Sequence, residues 1–125
     1  MGWLAPEWPA PPWVRAYTTT RRGGVSEGSY ASLNLAEHVG DELRYVAENR
    51  RRAIEALHLP AMPVWLQQVH GTAVVNAIMA KPGSTGDGSY ADRGDTVCAV
   101  LSADCLPLLL CDEGGTRVDA VHAGW

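Results

Sequence analysis

The sequence predicts an α+β fold in which a mixed β-sheet is flanked by one helix. Three observations support this prediction: short apolar runs in the second half of the chain, one stripe of apolar residues at helical spacing in the first half, and glycine-rich or proline-rich turns between them. With 125 residues and a hydrophobic content of 46%, the chain has enough apolar material for the core of one domain.

The first half of the chain is predicted to contain an extended arm, a strand, a loop and the helix. Residues 1–13 are rich in Pro and Trp, and residues 14–20 include the β-branched and aromatic residues typical of a strand. Residues 21–30 contain three glycines and predict a loop. Apolar residues recur at helical spacing over residues 41–58, with Asp41 as the predicted N-cap.

The second half is predicted to supply most of the sheet. A polar loop at residues 80–90 separates two strands from the three that follow, and residues 112–115 predict a hairpin turn. The predicted strands are residues 64–69, 72–79, 96–103, 106–111 and 117–122.

The charge and hydropathy of the chain argue against two classes of function. The net charge is −4 and the basic residues are scattered, so the sequence lacks the basic face expected of a nucleic-acid-binding protein. The longest apolar stretch, Leu106–Cys111, is too short to span a bilayer. The N-terminal residues lack the pattern of a secretory signal, and three cysteines without framework spacing suit a reducing compartment. We therefore expect a cytoplasmic protein with no nucleic-acid or membrane partner.

Three segments each carry a soft metal ligand at the end of an apolar run. The ligands are His70, Cys105 and His122. Two imidazoles and one thiolate suit zinc and leave a fourth coordination position for water or substrate. Because strand ends in a rigid sheet can hold side chains at a common point, this placement favours a shared site. Taken singly, each residue has an ordinary alternative, since a His in a turn is usually hydrogen-bonded or exposed and a free Cys usually packs.

Eight short motifs are distributed along nearly all of the chain after the N-terminal arm. In their order and separation they resemble the laccase-domain family of purine nucleoside enzymes, formerly described as polyphenol oxidases. Members of that family continue beyond the last motif for about as much chain again, so the resemblance implies that residues 1–125 are the N-terminal portion of a single, larger domain. The motifs are residues 19–26, 32–35, 38–41, 48–50, 63–71, 97–100, 103–107 and 122–125.

The resemblance also assigns the metal and substrate-binding residues. It implies that His70, Cys105 and His122 bind a zinc ion, with copper as the less favoured metal. It further implies that Arg21 and Asn34 reach toward the pocket and bind substrate. From the sequence alone, Arg21 is equally well explained as a solvated loop arginine.

Three residues are the predicted catalytic groups. Cys105 acts with the metal, and Arg21 is the available cation for phosphate. Asp87 takes the place of the aspartate in the family's Ala-Asp-Ala stretch if the alignment has no gap, whereas Asp92 takes it if a gap is opened. Asp87 is the preferred assignment.

The resemblance implies deamination of adenosine to inosine and phosphorolysis of adenosine, inosine, guanosine and methylthioadenosine. The expected partners are these nucleosides and phosphate, together with the other half of the domain. Three alternatives remain open. One is a copper-dependent polyphenol oxidoreductase, although only four histidines are present for a multicopper site. The others are a hydrolase with Cys105 as nucleophile and an inactive zinc-binding half-domain.

Overall fold

A computed structural model describes residues 2–124 and confirms the α+β prediction. The chain divides into two compact units. The first unit comprises the residues up to 7 together with residues 16–59, and the second comprises residues 8–15 together with those from 60 onward. None of the described helices is both long enough and apolar enough to cross a bilayer.

The first unit contains a two-stranded antiparallel sheet and the helix. Strand β1, Trp3–Leu4, pairs with β2, Thr18–Thr19, which is shorter than the strand predicted at residues 14–20. A short 3-10 helix, Gly28–Tyr30, interrupts the predicted loop. Helix α1 spans Leu43–Ala56 and confirms the helical prediction with its ends trimmed.

The predicted N-cap of α1 is wrong by one residue. Glu42 occupies the N-cap position and makes no side-chain capping bond. Asp41 lies just before it, and although its Oδ1 accepts the Glu42 N–H at 2.8 Å, its Oδ2 accepts the Ser26 hydroxyl at 2.5 Å. The Asp41 carboxylate is therefore shared between the helix start and the preceding loop, which holds Asp41 outside the helix.

The buried face of α1 carries a polar residue at its centre. Asn49 is fully buried, yet its Oδ1 accepts the Val25 N–H at 2.8 Å, and its Nδ2 donates to Ser26 Oγ and to the Asn34 carbonyl at 2.8 Å each. A buried amide with its hydrogen bonds satisfied avoids the penalty of an unpaired polar group. Asn49 thus connects α1 with the loop that carries Arg21.

The apolar core of this unit includes Leu33, Val46, Ala53 and Leu57.

Gly24 lies so close to this network that a larger residue cannot fit. A Cβ on Gly24 would lie 2.1 Å from the Ser32 carbonyl oxygen and 2.5 Å from Asn49 Oδ1. We expect Gly24→Ala to lower the free energy of unfolding by about 2 kcal/mol, because backbone and a buried amide must both shift. Urea unfolding measures this loss, with Gly94→Ala as the control because a Cβ there meets nothing within 4 Å. Equal midpoints for the two variants would contradict the expectation.

The second unit is built on a four-stranded mixed sheet with the strand order β3-β4-β6-β5. Strand β3, Val74–Asn76, runs parallel to β4, Gly88–Ala91. Strand β6, Val118–Ala123, runs antiparallel to both β4 and β5, Leu106–Cys111. The buried apolar residues of this unit include Leu66, Ala77, Ala91 and Ala120.

Several parts of the predicted sheet differ from the structure, and the strand predicted at residues 72–79 is shortened to β3, Val74–Asn76. The loop predicted at residues 80–90 contains the start of β4, because Gly88 and Ser89 are buried between two partner strands despite their weak strand propensity. The strands predicted at residues 64–69 and 96–103 are instead irregular, apart from isolated parallel bridges at Val64↔Cys98 and Gln67↔Thr85. Whether these segments form strands therefore depends on their tertiary contacts and not on their apolar pattern.

The hairpin formed by β5 and β6 agrees with the prediction. Its turn closes with a hydrogen bond from the Gly115 N–H to the Asp112 carbonyl, and Gly115 adopts a φ of +66°, which favours glycine. Asp112 Oδ1 also accepts the N–H groups of Thr116 and Arg117 at 2.7 and 3.0 Å. This turn fixes the register in which Pro107 lies opposite His122.

Candidate metal centre

His122 lies in β6 and is held by Asp87 from the segment that leads into β4. Both side chains are buried, with exposed fractions of 5% and 2%. Nδ1 of His122 lies 2.9 Å from Asp87 Oδ2, and the His122 backbone N–H donates to the Asp87 carbonyl at 2.6 Å. Two contacts thus fix both the backbone and the ring of His122.

The Asp87 carboxylate also binds the turn that carries His70. Its Oδ1 accepts the backbone N–H groups of Val69 and Gly71, and its Oδ2 accepts that of His70, each at 2.9 Å. Burial alone raises the pKa of the Asp87 carboxyl, but the three backbone hydrogen bonds and the contact with the His122 ring outweigh burial and lower this pKa to about 2. Asp87 is therefore ionised at neutral pH.

His70 approaches His122 from this turn. Its backbone has a φ of +60°, a left-handed conformation that is uncommon for a residue with a side chain. The His70 and His122 rings lie edge to face, with centroids 5.1 Å apart. A Cβ on Gly124 would lie only 3.2 Å from His70 Nδ1, so the glycine at this position leaves room for the His70 ring. The two histidines thus lie side by side, although His70 follows an irregular segment and His122 lies within β6.

A second side chain connects the His70 turn with the segment that leads to Cys105. Gln68 Nε2 donates to the Leu101 carbonyl at 2.8 Å, and the Leu101 N–H donates back to Gln68 Oε1 at 2.7 Å. Further along, Ser102 Oγ donates to the Cys105 carbonyl. Cys105 directly precedes β5 and is two residues from Pro107, the cross-strand partner of His122.

The structure brings the predicted ligands together only in part. Within residues 2–124, no group of three or more His, Cys, Asp or Glu side chains is arranged to hold a metal ion. The two imidazoles are adjacent, whereas Cys105 directly precedes β5, in which Pro107 pairs with His122. The ligand set of His70, Cys105 and His122 stays a prediction.

Of the two aspartates that the sequence left open, Asp87 is the one that lies at the histidines. Asp92 is exposed and follows the end of β4. A direct catalytic role for Asp87 stays a prediction; its carboxylate contacts the turn that carries His70 and the ring of His122. Sequence reasoning misses the contacts of Gln68 and Gly124, because neither residue belongs to a metal-binding spacing pattern.

Arg21 and Asn34 belong to the first unit, where both side chains support a loop. Arg21 is exposed, and its Nε donates to the Ala31 carbonyl at 2.8 Å. Asn34 donates to the Ala36 carbonyl and to Asp41 Oδ2 at 3.2 and 3.1 Å. Their predicted roles in substrate binding stay predictions.

The family of the chain follows from comparison with known proteins. The family model described as "Multi-copper polyphenol oxidoreductase laccase" matches residues 15–125. The chain belongs to this family. The membership confirms the resemblance that the eight sequence motifs predicted.

Several similar proteins are named purine nucleoside phosphorylases. A purine nucleoside phosphorylase of Pseudomonas aeruginosa is 51% identical over 123 residues, which cover 98% of this chain and 50% of that protein. The purine nucleoside phosphorylase YfiH of Escherichia coli is 49% identical over 124 residues, which cover 98% of this chain and 51% of YfiH. The chain thus spans about half the length of these curated relatives.

Solved structures of two relatives share the fold. A protein of Neisseria meningitidis has a TM-score of 0.92 and 49% identity, with 98% of this chain and 50% of that chain covered. YlmD from Geobacillus stearothermophilus has a TM-score of 0.79 and 35% identity, with 93% and 48% covered. These matches also extend over about half of each structure.

Proposed function

We propose that this chain is part of a zinc-dependent purine nucleoside enzyme of the laccase family, with phosphorolysis as its main reaction. The observation that carries the proposal is the pair of adjacent imidazoles held by one buried carboxylate. The names of the relatives support a nucleoside and phosphate as substrates. The cytoplasm is the proposed location, in keeping with three free cysteines.

The donor chemistry of the site fits zinc. His70, Cys105 and His122 would hold the ion, since neutral imidazoles and a thiolate are its preferred protein ligands. Asp87 bonded to the far nitrogen of His122 is the arrangement that usually orients a metal-binding histidine. A zinc ion with an open coordination position supplies Lewis-acid activation of water or of a substrate oxygen.

The proposed substrates are adenosine, inosine, guanosine and methylthioadenosine. In phosphorolysis a phosphate oxygen bonds to the anomeric carbon of the sugar, the bond from that carbon to the purine nitrogen breaks, and the base leaves with a proton. Arg21, whose guanidinium carries a permanent charge, is the proposed phosphate-binding group. In the proposed second activity, water adds to C6 of adenosine and ammonia leaves, which gives inosine.

The name of the family favours a second candidate, a copper-dependent polyphenol oxidoreductase. Copper chemistry of that kind uses several histidine-rich sites, and the described residues bring two histidines together. The ligand types present therefore support zinc over copper.

Metal analysis combined with product analysis tests the proposal. We expect about one zinc per chain and, when the chain is supplied with the other half of the domain, phosphate-dependent release of free purine base from inosine and guanosine. Omitting phosphate is the control, because release of purine base then stops, whereas release of ammonia from adenosine needs no phosphate and continues. Bound copper with oxidation of phenols would replace the proposal by the oxidoreductase. A metal-free protein inactivated by alkylation of Cys105 would replace it by the hydrolase.

A further inference from the structure

The Asp87 carboxylate has no acceptor position left for a substrate or a metal. An ionised carboxylate offers about four lone-pair positions on its two oxygens. Oδ1 accepts two backbone N–H groups, from Val69 and Gly71, and Oδ2 contacts the His70 N–H and the His122 ring. A direct role in proton transfer or coordination would break one of these four contacts. The contacts therefore point to positioning of the histidines.

The contact with Asp87 determines which ring nitrogen of His122 is available. The carboxylate of Asp87 accepts three backbone N–H groups, and Nδ1 of His122 lies 2.9 Å from its Oδ2, in position to donate the fourth hydrogen bond. In the neutral ring, Nε2 then holds the free lone pair. That lone pair would bind a metal ion without a change of tautomer.

The same carboxylate stabilises the uncommon backbone of His70. A φ of +60° is disfavoured for a residue with a Cβ and persists only where the surroundings hold it. Three consecutive N–H groups, those of residues 69–71, all point to Asp87. The turn therefore wraps around the carboxylate and directs the His70 side chain toward His122.

We propose that Asp87 is the positioning residue of the metal site: it sets the Nε2 lone pair of His122 and the left-handed turn of His70 before the metal binds. This inference rests on the zinc site of the proposed function. It deepens that function by assigning how two of the three ligands are held in their binding geometry. It also separates Asp87 from the groups that touch the substrate.

Asp87→Asn gives a specific test, because an amide replaces one acceptor oxygen by an NH2 donor. With its oxygen toward Val69 and Gly71, the amide directs its NH2 group at His70 N–H and at His122 Nδ1. Only an unprotonated Nδ1 can accept this hydrogen bond, so the proton must move to Nε2. We therefore expect a reversed tautomer at His122.

Nitrogen-15 NMR of the histidine rings in the metal-free chain measures the tautomer directly. We expect a protonated Nδ1 in the wild type, a protonated Nε2 in Asp87→Asn, and no change in Asp92→Asn, which alters an exposed aspartate outside the site. The zinc dissociation constant should rise about 10- to 100-fold in Asp87→Asn and stay constant in Asp92→Asn. A residue with only a structural role would change stability without reversing the tautomer.

Two results would overturn the proposal. One is a protonated Nε2 on His122 in the wild-type chain, a measurement that needs no variant and remains decisive if Asp87→Asn fails to fold. The other is a folded Asp87→Asn protein with the wild-type tautomer and wild-type zinc affinity. Failure of the proposed function has a different signature, since a wild-type chain that binds no zinc but keeps Nδ1 protonated refutes the zinc site and leaves the effect of Asp87 on His122 intact.

Discussion

Cys105→Ala should abolish zinc binding and nucleoside turnover, whereas Cys98→Ala and Cys111→Ala should retain both. A thiolate ligand contributes negative charge and a coordination bond, and neither histidine can replace it. Zinc content by elemental analysis after exhaustive dialysis measures the first effect. Turnover is measured on the chain supplied with the other half of the domain.

The two other cysteines are matched controls, because their surroundings differ from a ligand position. Cys98 forms an isolated bridge with Val64, and burial raises the pKa of its thiol, which disfavours the thiolate. Cys111 ends β5 opposite Val118. Their replacement by Ala removes packing and should lower thermal stability alone. Normal zinc content in Cys105→Ala would refute the ligand assignment.

The second large effect is the change in activity expected when the chain is combined with the part of the relatives' length that it does not span. We expect the 125-residue chain by itself to self-associate and to be weak or inactive as an adenosine deaminase. Addition of the other half, on the same chain or as a second one, should restore ammonia release from adenosine at equal zinc loading. Full turnover by the 125-residue chain would show that its pocket is complete and would contradict this expectation.

The expected self-association has a defined structural origin in β5. This strand lies at the edge of the described sheet, and Leu106, Leu108 and Leu110 along it are all exposed. An apolar edge strand is a template for pairing with another chain. Leu108→Lys should therefore reduce association in size-exclusion chromatography. Met79→Lys, which changes an exposed apolar residue outside β5, should not.

The sequence predicted those elements whose own residues determine their structure. The β5 and β6 hairpin was predicted nearly to the residue because apolar runs flank a turn with two glycines. Strand β4 was missed because Gly88 and Ser89 have low strand propensity and become a strand only between β3 and β6. The pattern of a segment does not show which neighbours it will have.

In the candidate site, too, the sequence predicts the features that depend on local residues and misses those that depend on distant ones. His70 and His122 were identified because each ends an apolar run, and this placement is visible in the sequence. The role of Asp87 depends on contacts 17 and 35 residues away in the chain, with His70 and His122, which no local pattern reveals. The double hydrogen bond between Gln68 and Leu101, 33 residues apart, was hidden for the same reason.

The strand order β3-β4-β6-β5 has a consequence for synthesis on the ribosome. Of the four strands in the described sheet, β6 emerges after the other three, and it pairs with both β4 and β5. Until its six residues have left the exit tunnel, two earlier strands of the nascent polypeptide have no partner on that side. His122 arrives with the same strand. Pairing of β6 with its two neighbours and completion of the histidine pair are therefore one coupled step in the vectorial folding of the described sheet.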